Sequence, residues 1–224
     1  EDAAQVYGSK YKNNLLGSYG DFSAFSFHQT KNLHCGSGGA LILNNTKFFN
    51  SLKNVLDRGT NKSEFLNSKA SKYTWVSRGV SSSITEMQSA FLLNQLKNEK
   101  KITKKRKKIF NLYKFYLKNL NSKKIISSFQ KENTSNYHMF YILLKNLAER
   151  NKFINYMKKK GIETTSHYEP LHLSKFYKKN FDKNIKLPST EIMSKKIVRL
   201  PLHLKLNSKD IKFISSQIIS FFNK

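Results

Sequence analysis

The run Ser26-Phe27-His28-Gln29-Thr30-Lys31-Asn32-Leu33, closed by Gly36-Ser37-Gly38-Gly39, constrains this chain more than any other segment. A short apolar strand delivers Lys31 into a loop, with Ser26 five residues before it and the glycine cluster five residues after. An enzyme using pyridoxal phosphate (PLP) needs this set: an amine to form a Schiff base and a hydroxyl for the phosphate. The glycines let backbone pass close to a bulky cofactor. Taken alone, S-F-x-x-x-K is a weak pattern, because a lysine in a loop after a strand is more often a solvated surface residue.

Further segments follow in order along nearly the whole chain: Glu1-Asp2-Ala3-Ala4-Gln5, Arg58-Gly59-Thr60-Asn61-Lys62-Ser63, Lys72-Tyr73-Thr74-Trp75, His138-Met139-Phe140-Tyr141, His167-Tyr168-Glu169-Pro170-Leu171-His172 and Arg199-Leu200-Pro201-Leu202. With F-S-F-H-Q-T-K-N, they resemble the sugar aminotransferases of the DegT/DnrJ/EryC1/StrS family, a branch of the fold type I PLP enzymes. The resemblance implies an α/β fold: the C-terminal part of a large mixed-sheet PLP-binding domain over 1–121, including a long connecting helix, and a small α+β domain over 122–224. It also implies that a preceding portion of the family's chain is absent, because Glu1 falls inside what would be a central strand.

The same resemblance implies the chemistry. Asp2 would keep the cofactor's pyridine nitrogen protonated, since an adjacent carboxylate favours the charged form. Gln5 would hydrogen-bond the phenolic oxygen, Ser26 the phosphate, and Lys31 would hold the Schiff base and move the proton. His167 and Tyr168 would lie near the sugar. Arg58–Phe65 with Tyr73-Thr74-Trp75 would reach the other subunit of a homodimer with shared sites, Tyr73 touching substrate. The activity implied is transfer of an amino group, with L-glutamate as donor, to C4 of a dTDP-4-keto-6-deoxy sugar for cell-surface polysaccharide, in the cytoplasm. No metal is implied. Two positions depart from the family pattern: Ser37 replaces a glutamate, and Ser83 stands where relatives use an asparagine on the neighbouring subunit's phosphate. Lys31 argues against the family's dehydratases, in which histidine replaces the lysine. A non-catalytic remnant of such an enzyme is the alternative.

The bulk properties bound other readings. A hydrophobic content of 38% over 224 residues is enough for a core. No apolar run reaches membrane-spanning length, and no signal-peptide pattern opens the chain. The single cysteine, Cys35, excludes an internal disulfide and reads as a small buried residue. The net charge of +27 raises nucleic-acid binding as a third reading. Only five of the 41 basic residues are arginines, and lysine abounds beside asparagine, isoleucine, phenylalanine and tyrosine, all encoded by A/T-rich codons. The expectation is therefore no nucleic-acid partner and no membrane, with Lys100–Lys108 coating a solvated helix face.

Locally, strands are expected near 22–27 and Ala40–Leu43, then a helix capped by Thr46 and ending near Asp57. Residues 59–82 lack periodicity and read as a long functional or disordered loop. From Ile84 a helical stripe runs through Met87, Phe91, Gln95 and Leu96 to Ile109, Leu112, Tyr113, Tyr116, Leu117 and Leu120, read as core-facing. Beyond it come a strand near 137–145, a helix near 148–160, strands at Ile162–His167 and Val198–Leu200, and a final helix from Ser208.

Overall fold

The computed structural model describes residues 1–121, 135–181 and 184–223. The chain divides into two compact units, one built on Glu1–Lys100 and joined by Asn136, the other on the chain from Lys101 and Tyr137–Lys224. The domain boundary expected at 121/122 adjoins 122–134, outside the described residues.

In the first unit, β1 (Lys10–Tyr11) and β2 (Asn14–Leu15) form a tight hairpin. Its two turn residues, Lys12 and Asn13, both have positive φ (45° and 68°). That is the twist a two-residue hairpin requires, reached without the Asn-Gly pair that usually announces it. Strands β3 (Phe22–Ser26) and β4 (Gly39–Leu43) pair antiparallel, from Phe22 opposite Leu43 to Ser26 opposite Gly39. On its other edge β3 takes a parallel bridge from Asp2, with Ala3 N–H donating to Ala24 O and Ala24 N–H to Glu1 O, both at 3.1 Å. The sheet is mixed, as expected.

Asn45, and not Thr46, caps the next segment, its side chain accepting from Lys47 N–H. A short 3₁₀ turn, Thr46–Phe48, then leads into α1 (Phe49–Leu56). The expected loop at 59–82 contains α2 (Lys62–Leu66) and is cinched at its base. Val76 N–H (2.7 Å) and Ser77 N–H (3.0 Å) donate to Gly59 O, and Asn61 accepts Thr74 N–H at 2.8 Å. A Cβ on Gly59 or Gly79 would collide with the other's backbone strand.

The long helix is interrupted at Asn98, giving α3 (Glu86–Lys97) and α4 (Glu99–Tyr116), followed by α5 (Lys118–Asn121). A Thr85/Gln88 capping box starts α3. Met87 and Phe91 are 83% and 53% exposed, so the stripe is not core-facing there. The buried side of α3 runs instead through Leu92 between Gln88 and Gln95.

The second unit is a three-stranded antiparallel sheet in the order β5 (Phe140–Leu143), β7 (Ile197–Leu200), β6 (Thr165–Ser166). The other elements are α6 (Leu147–Lys159), α7 (Lys175–Asn180), α8 (Pro188–Lys196) and α9 (Ser208–Phe222). One face of the sheet, Phe140, Ile142, Val198 and Leu200, packs with Phe153 and Met157 of α6, Ile211, Ile214 and Ile218 of α9, and Ile109, Phe110, Tyr113 and Leu117. The helical periodicity read from 109 onward is thus met, Leu112 and Tyr116 lying partly buried against this cluster. Of the basic run, Arg106 alone turns inward, donating from Nε to Tyr137 O (3.0 Å) and from Nη2 to His138 O (2.5 Å). Burial without a carboxylate pulls its pKa down to about 10. Lys100, Lys101, Lys104, Lys105, Lys107 and Lys108 are exposed.

Candidate active site

The β3–β4 ladder continues into the lysine loop. Phe27 N–H donates to Gly38 O (2.8 Å), Cys35 N–H to Phe27 O (2.9 Å) and Gln29 N–H to Gly36 O (2.8 Å). At the tip, Lys31 N–H closes a turn onto His28 O (2.8 Å), while Thr30 N–H donates to His28 Nδ1 at 3.3 Å. Phe27, Leu33 and Cys35 are buried and anchor the loop from below. Cys35 is the small buried residue expected, its Sγ 3.7 Å from Phe27 O and from Ser37 O. Lys31 is half-buried, and its ammonium makes no hydrogen bond or ion pair among the described residues.

The first unit's helix braces this loop from one side. Gln88 Nε2 donates to Ser37 O (2.8 Å), and two turns on, Gln95 Oε1 accepts His34 N–H (3.1 Å). Seven residues apart, these amides share one helix face. The glycines beyond the loop are demanded by close approach. A Cβ on Gly38 would lie 2.6 Å from Cys35 Sγ, and one on Gly39 would lie 2.7 Å from Phe25 O. Ser37 contributes its backbone carbonyl.

Asp2 and Ser26 are brought together by the sheet, since Asp2 bridges Ala24 two residues before Ser26. Asp2 Oδ1 accepts Ala4 N–H at 3.0 Å, and no described residue bonds its second oxygen. Ser26 Oγ accepts His28 N–H at 3.3 Å, which leaves its own proton to donate. Gln5 is placed by a residue the sequence did not single out. Buried Asn136 donates from Nδ2 to Gln5 O (2.8 Å) and Tyr7 O (3.1 Å), and its N–H donates to Ser9 Oγ (3.0 Å). Its carbonyl accepts Asn32 Nδ2–H at 2.8 Å, next to Lys31. One asparagine therefore ties the Gln5 turn to the lysine loop.

Tyr73 is 47% exposed, its ring tilted 54° to that of Phe65 with centres 6.0 Å apart. Ser83 is exposed in the irregular segment before α3. In the second unit, His167 follows β6, its ring centre 5.0 Å from that of Tyr168. The pKa of His167 is lowered, first by burial and then by the Arg199 charge. Among the described residues, no group of three metal-ligating side chains gathers, and no helix is long and apolar enough to cross a membrane.

Residues 1–219 match the family model described as the DegT/DnrJ/EryC1/StrS aminotransferase family. The chain belongs to this family. It is 29% identical over 228 residues to the Campylobacter jejuni UDP-4-amino-4,6-dideoxy-N-acetyl-beta-L-altrosamine transaminase, covering 100% of this chain and 58% of that protein. It is 26% identical over 223 residues to the Escherichia coli O157:H7 GDP-perosamine synthase, again covering 100% of this chain and 58% of the other. A Streptococcus pneumoniae sugar-aminotransferase homologue solved in its PLP form superposes with a TM-score of 0.85 at 24% identity, covering 99% of this chain and 57% of that one. The chain thus spans less than three-fifths of each of these three relatives.

The DegT/DnrJ/EryC1/StrS enzymes are PLP-dependent, and the fold is that of their fold type I branch. The residues present fit the cofactor: a half-buried lysine whose amine has no competing partner among the described residues, a serine hydroxyl with a free proton, a carboxylate with one uncommitted oxygen, and an unbonded glutamine amide.

Proposed function

We propose that this chain carries the lysine-bearing part of a PLP-dependent nucleotide-sugar aminotransferase, with 1–121 in its cofactor domain and 122–224 as its small domain. The observation that supports the reading best is Lys31. Lys31 is half-buried and its amine is unpaired among the described residues, on a loop held at both flanks by backbone hydrogen bonds. Bound PLP would supply an electron sink at the donor's reacting carbon. Lys31 Nζ would hold the cofactor and, once released by the amino donor, serve as the base that moves the proton. Asp2 keeps the pyridine nitrogen protonated, Gln5 holds the phenolic oxygen, and Ser26 Oγ donates to the phosphate. Ser83 donates one hydrogen bond to the phosphate of a partner subunit in a homodimer, where Tyr73 also contacts substrate. His167 and Tyr168 line the sugar. The acceptor is a 4-keto-6-deoxy sugar on a nucleoside diphosphate, dTDP by the resemblance of the loops, and the donor is L-glutamate.

Borohydride reduction of the chain with PLP, followed by peptide mass mapping, tests this. The expected result is a pyridoxyl adduct confined to Lys31 and absent from Lys31→Ala. Adducts spread over surface lysines would overturn it and favour the non-catalytic remnant. Where the adduct forms, turnover with dTDP-, UDP- and GDP-linked keto sugars decides the base.

A further inference from the structure

From Lys100 to Lys118, nine of nineteen residues are basic and none is acidic, against 41 basic residues in all 224, so an even drift in composition does not produce this run. The fold then sorts it. Ile109, Phe110, Tyr113 and Leu117 are fixed in the second unit's core, and Arg106 is tied to the Tyr137 and His138 carbonyls. The helix α4 is therefore locked about its axis, and its opposite face is presented outward in one orientation.

With about 3.6 residues per turn, Lys104, Lys108 and Phe115 run along the centre of that outer face, with Lys101, Lys105 and Lys107 to either side. No carboxylate among the described residues pairs with these lysines. Phe115 is 63% exposed, and Lys118 Nζ stands 5.8 Å from its ring centre. A single exposed apolar residue is common on any surface. This one lies in the middle of a cationic field, where a face that only meets water has no use for it.

The combination fits a surface that is anionic outside and apolar just beneath. Lysine ammonium groups meet the headgroup charges, while their stems and an aromatic ring reach the acyl boundary. Duplex DNA would engage the lysines but offers Phe115 no apolar layer, and the arginine suited to a base edge is turned inward.

We propose that the outer face of α4, centred on Lys104, Lys108 and Phe115, docks the chain on an anionic lipid bilayer, beyond coating a solvated surface. The lysines supply an attraction that salt weakens, and Phe115 supplies an apolar contact that salt does not screen. The proposal stands apart from the aminotransferase reading, because none of these residues is assigned to cofactor or substrate.

The test is co-sedimentation of the chain with vesicles of phosphatidylcholine, with and without about 30% phosphatidylserine, at about 100 mM salt. Partition onto the phosphatidylserine vesicles alone is expected. Lys104→Gln with Lys108→Gln should lower the partition coefficient about thirtyfold, and Phe115→Ala about tenfold. Lys178→Gln with Lys179→Gln, exposed on α7, removes the same charge and should change it less than about threefold. In Phe115→Trp, emission above the Trp75 background should shift to the blue on the vesicles. Equal binding to both vesicle types, equal losses in the two double variants, or an unshifted Phe115→Trp emission overturns the proposal. Duplex DNA that strips the chain from the vesicles at equal phosphate concentration gives the face to nucleic acid and overturns it too. A Lys31 adduct without vesicle binding removes this proposal alone, and vesicle binding without the adduct removes only the aminotransferase reading.

Discussion

Asn136 holds together segments that lie more than a hundred positions away, bonding Gln5 and Tyr7 carbonyls through Nδ2 and Asn32 through its own carbonyl. Replacing it with alanine leaves two carbonyls without their donor, so Asn136→Ala should cost about 1–3 kcal/mol in urea unfolding. Its second signature is functional: the yield of pyridoxyl adduct on Lys31 should fall while Lys31 itself is intact. A destabilised variant with full adduct yield would make Asn136 merely structural. His167 makes a separate prediction. Its folded pKa is depressed by burial and by Arg199, so between the folded and unfolded values the unfolded chain binds more protons. Stability should therefore be full above the unfolded histidine value and decline as pH falls below it. His167→Gln should flatten that part of the profile in urea midpoints measured from pH 8 to pH 5. An unchanged slope would assign the acid sensitivity to other groups.

Glycines set the two tightest elements. Gly79 and Gly59 press backbone on backbone, and any Cβ at Gly79 meets the chain at Arg58 and Gly59. With no flexible side chain to move aside, Gly79→Ala should cost about 3 kcal/mol or more, at the upper end of overpacking effects. Hydrogen exchange at Val76 and Ser77, whose N–H groups bond Gly59 O, should accelerate with it. Slow exchange retained there would show that the loop base relaxes around the methyl. These elements also show what was legible beforehand. Strands β3 and β4 and helix α9 follow from apolar period and cap residues, and the lysine loop follows from its residue types. The 59–82 segment read as aperiodic because its order comes from glycine contact and from Asn61 bonding across the loop, neither of which leaves a repeat. Met87 and Phe91 fit a helical stripe, yet of its first members Gln95 faces the loop, joined by Gln88 from outside the stripe. Polar anchors chose the face there, and an apolar count does not register them. Asn136 escaped for the same reason: its importance lies in long-range partners.

At the scale of the whole molecule, a net charge of +27 must act on any polyanion nearby. Its densest expression is the face of α4 lined by Lys101, Lys104, Lys105, Lys107 and Lys108. The one arginine of that run, Arg106, is turned inward onto backbone carbonyls and is not available to read a base edge. Exposed lysines on one helix neutralise phosphates as point charges and carry no sequence information. If all five engage, counterion release gives a salt slope near −4.5, so affinity for duplex DNA should fall about 500-fold between 50 and 200 mM salt. Filter binding should show weak association at low salt, equal for unrelated sequences, and none near physiological ionic strength. Replacing Lys104 and Lys108 with glutamine should lower the slope by about 2 without touching the Lys31 adduct. Tight binding that survives 200 mM salt, or that prefers one sequence, would mean that the basic face has a dedicated nucleic-acid partner and that its charge is more than compositional.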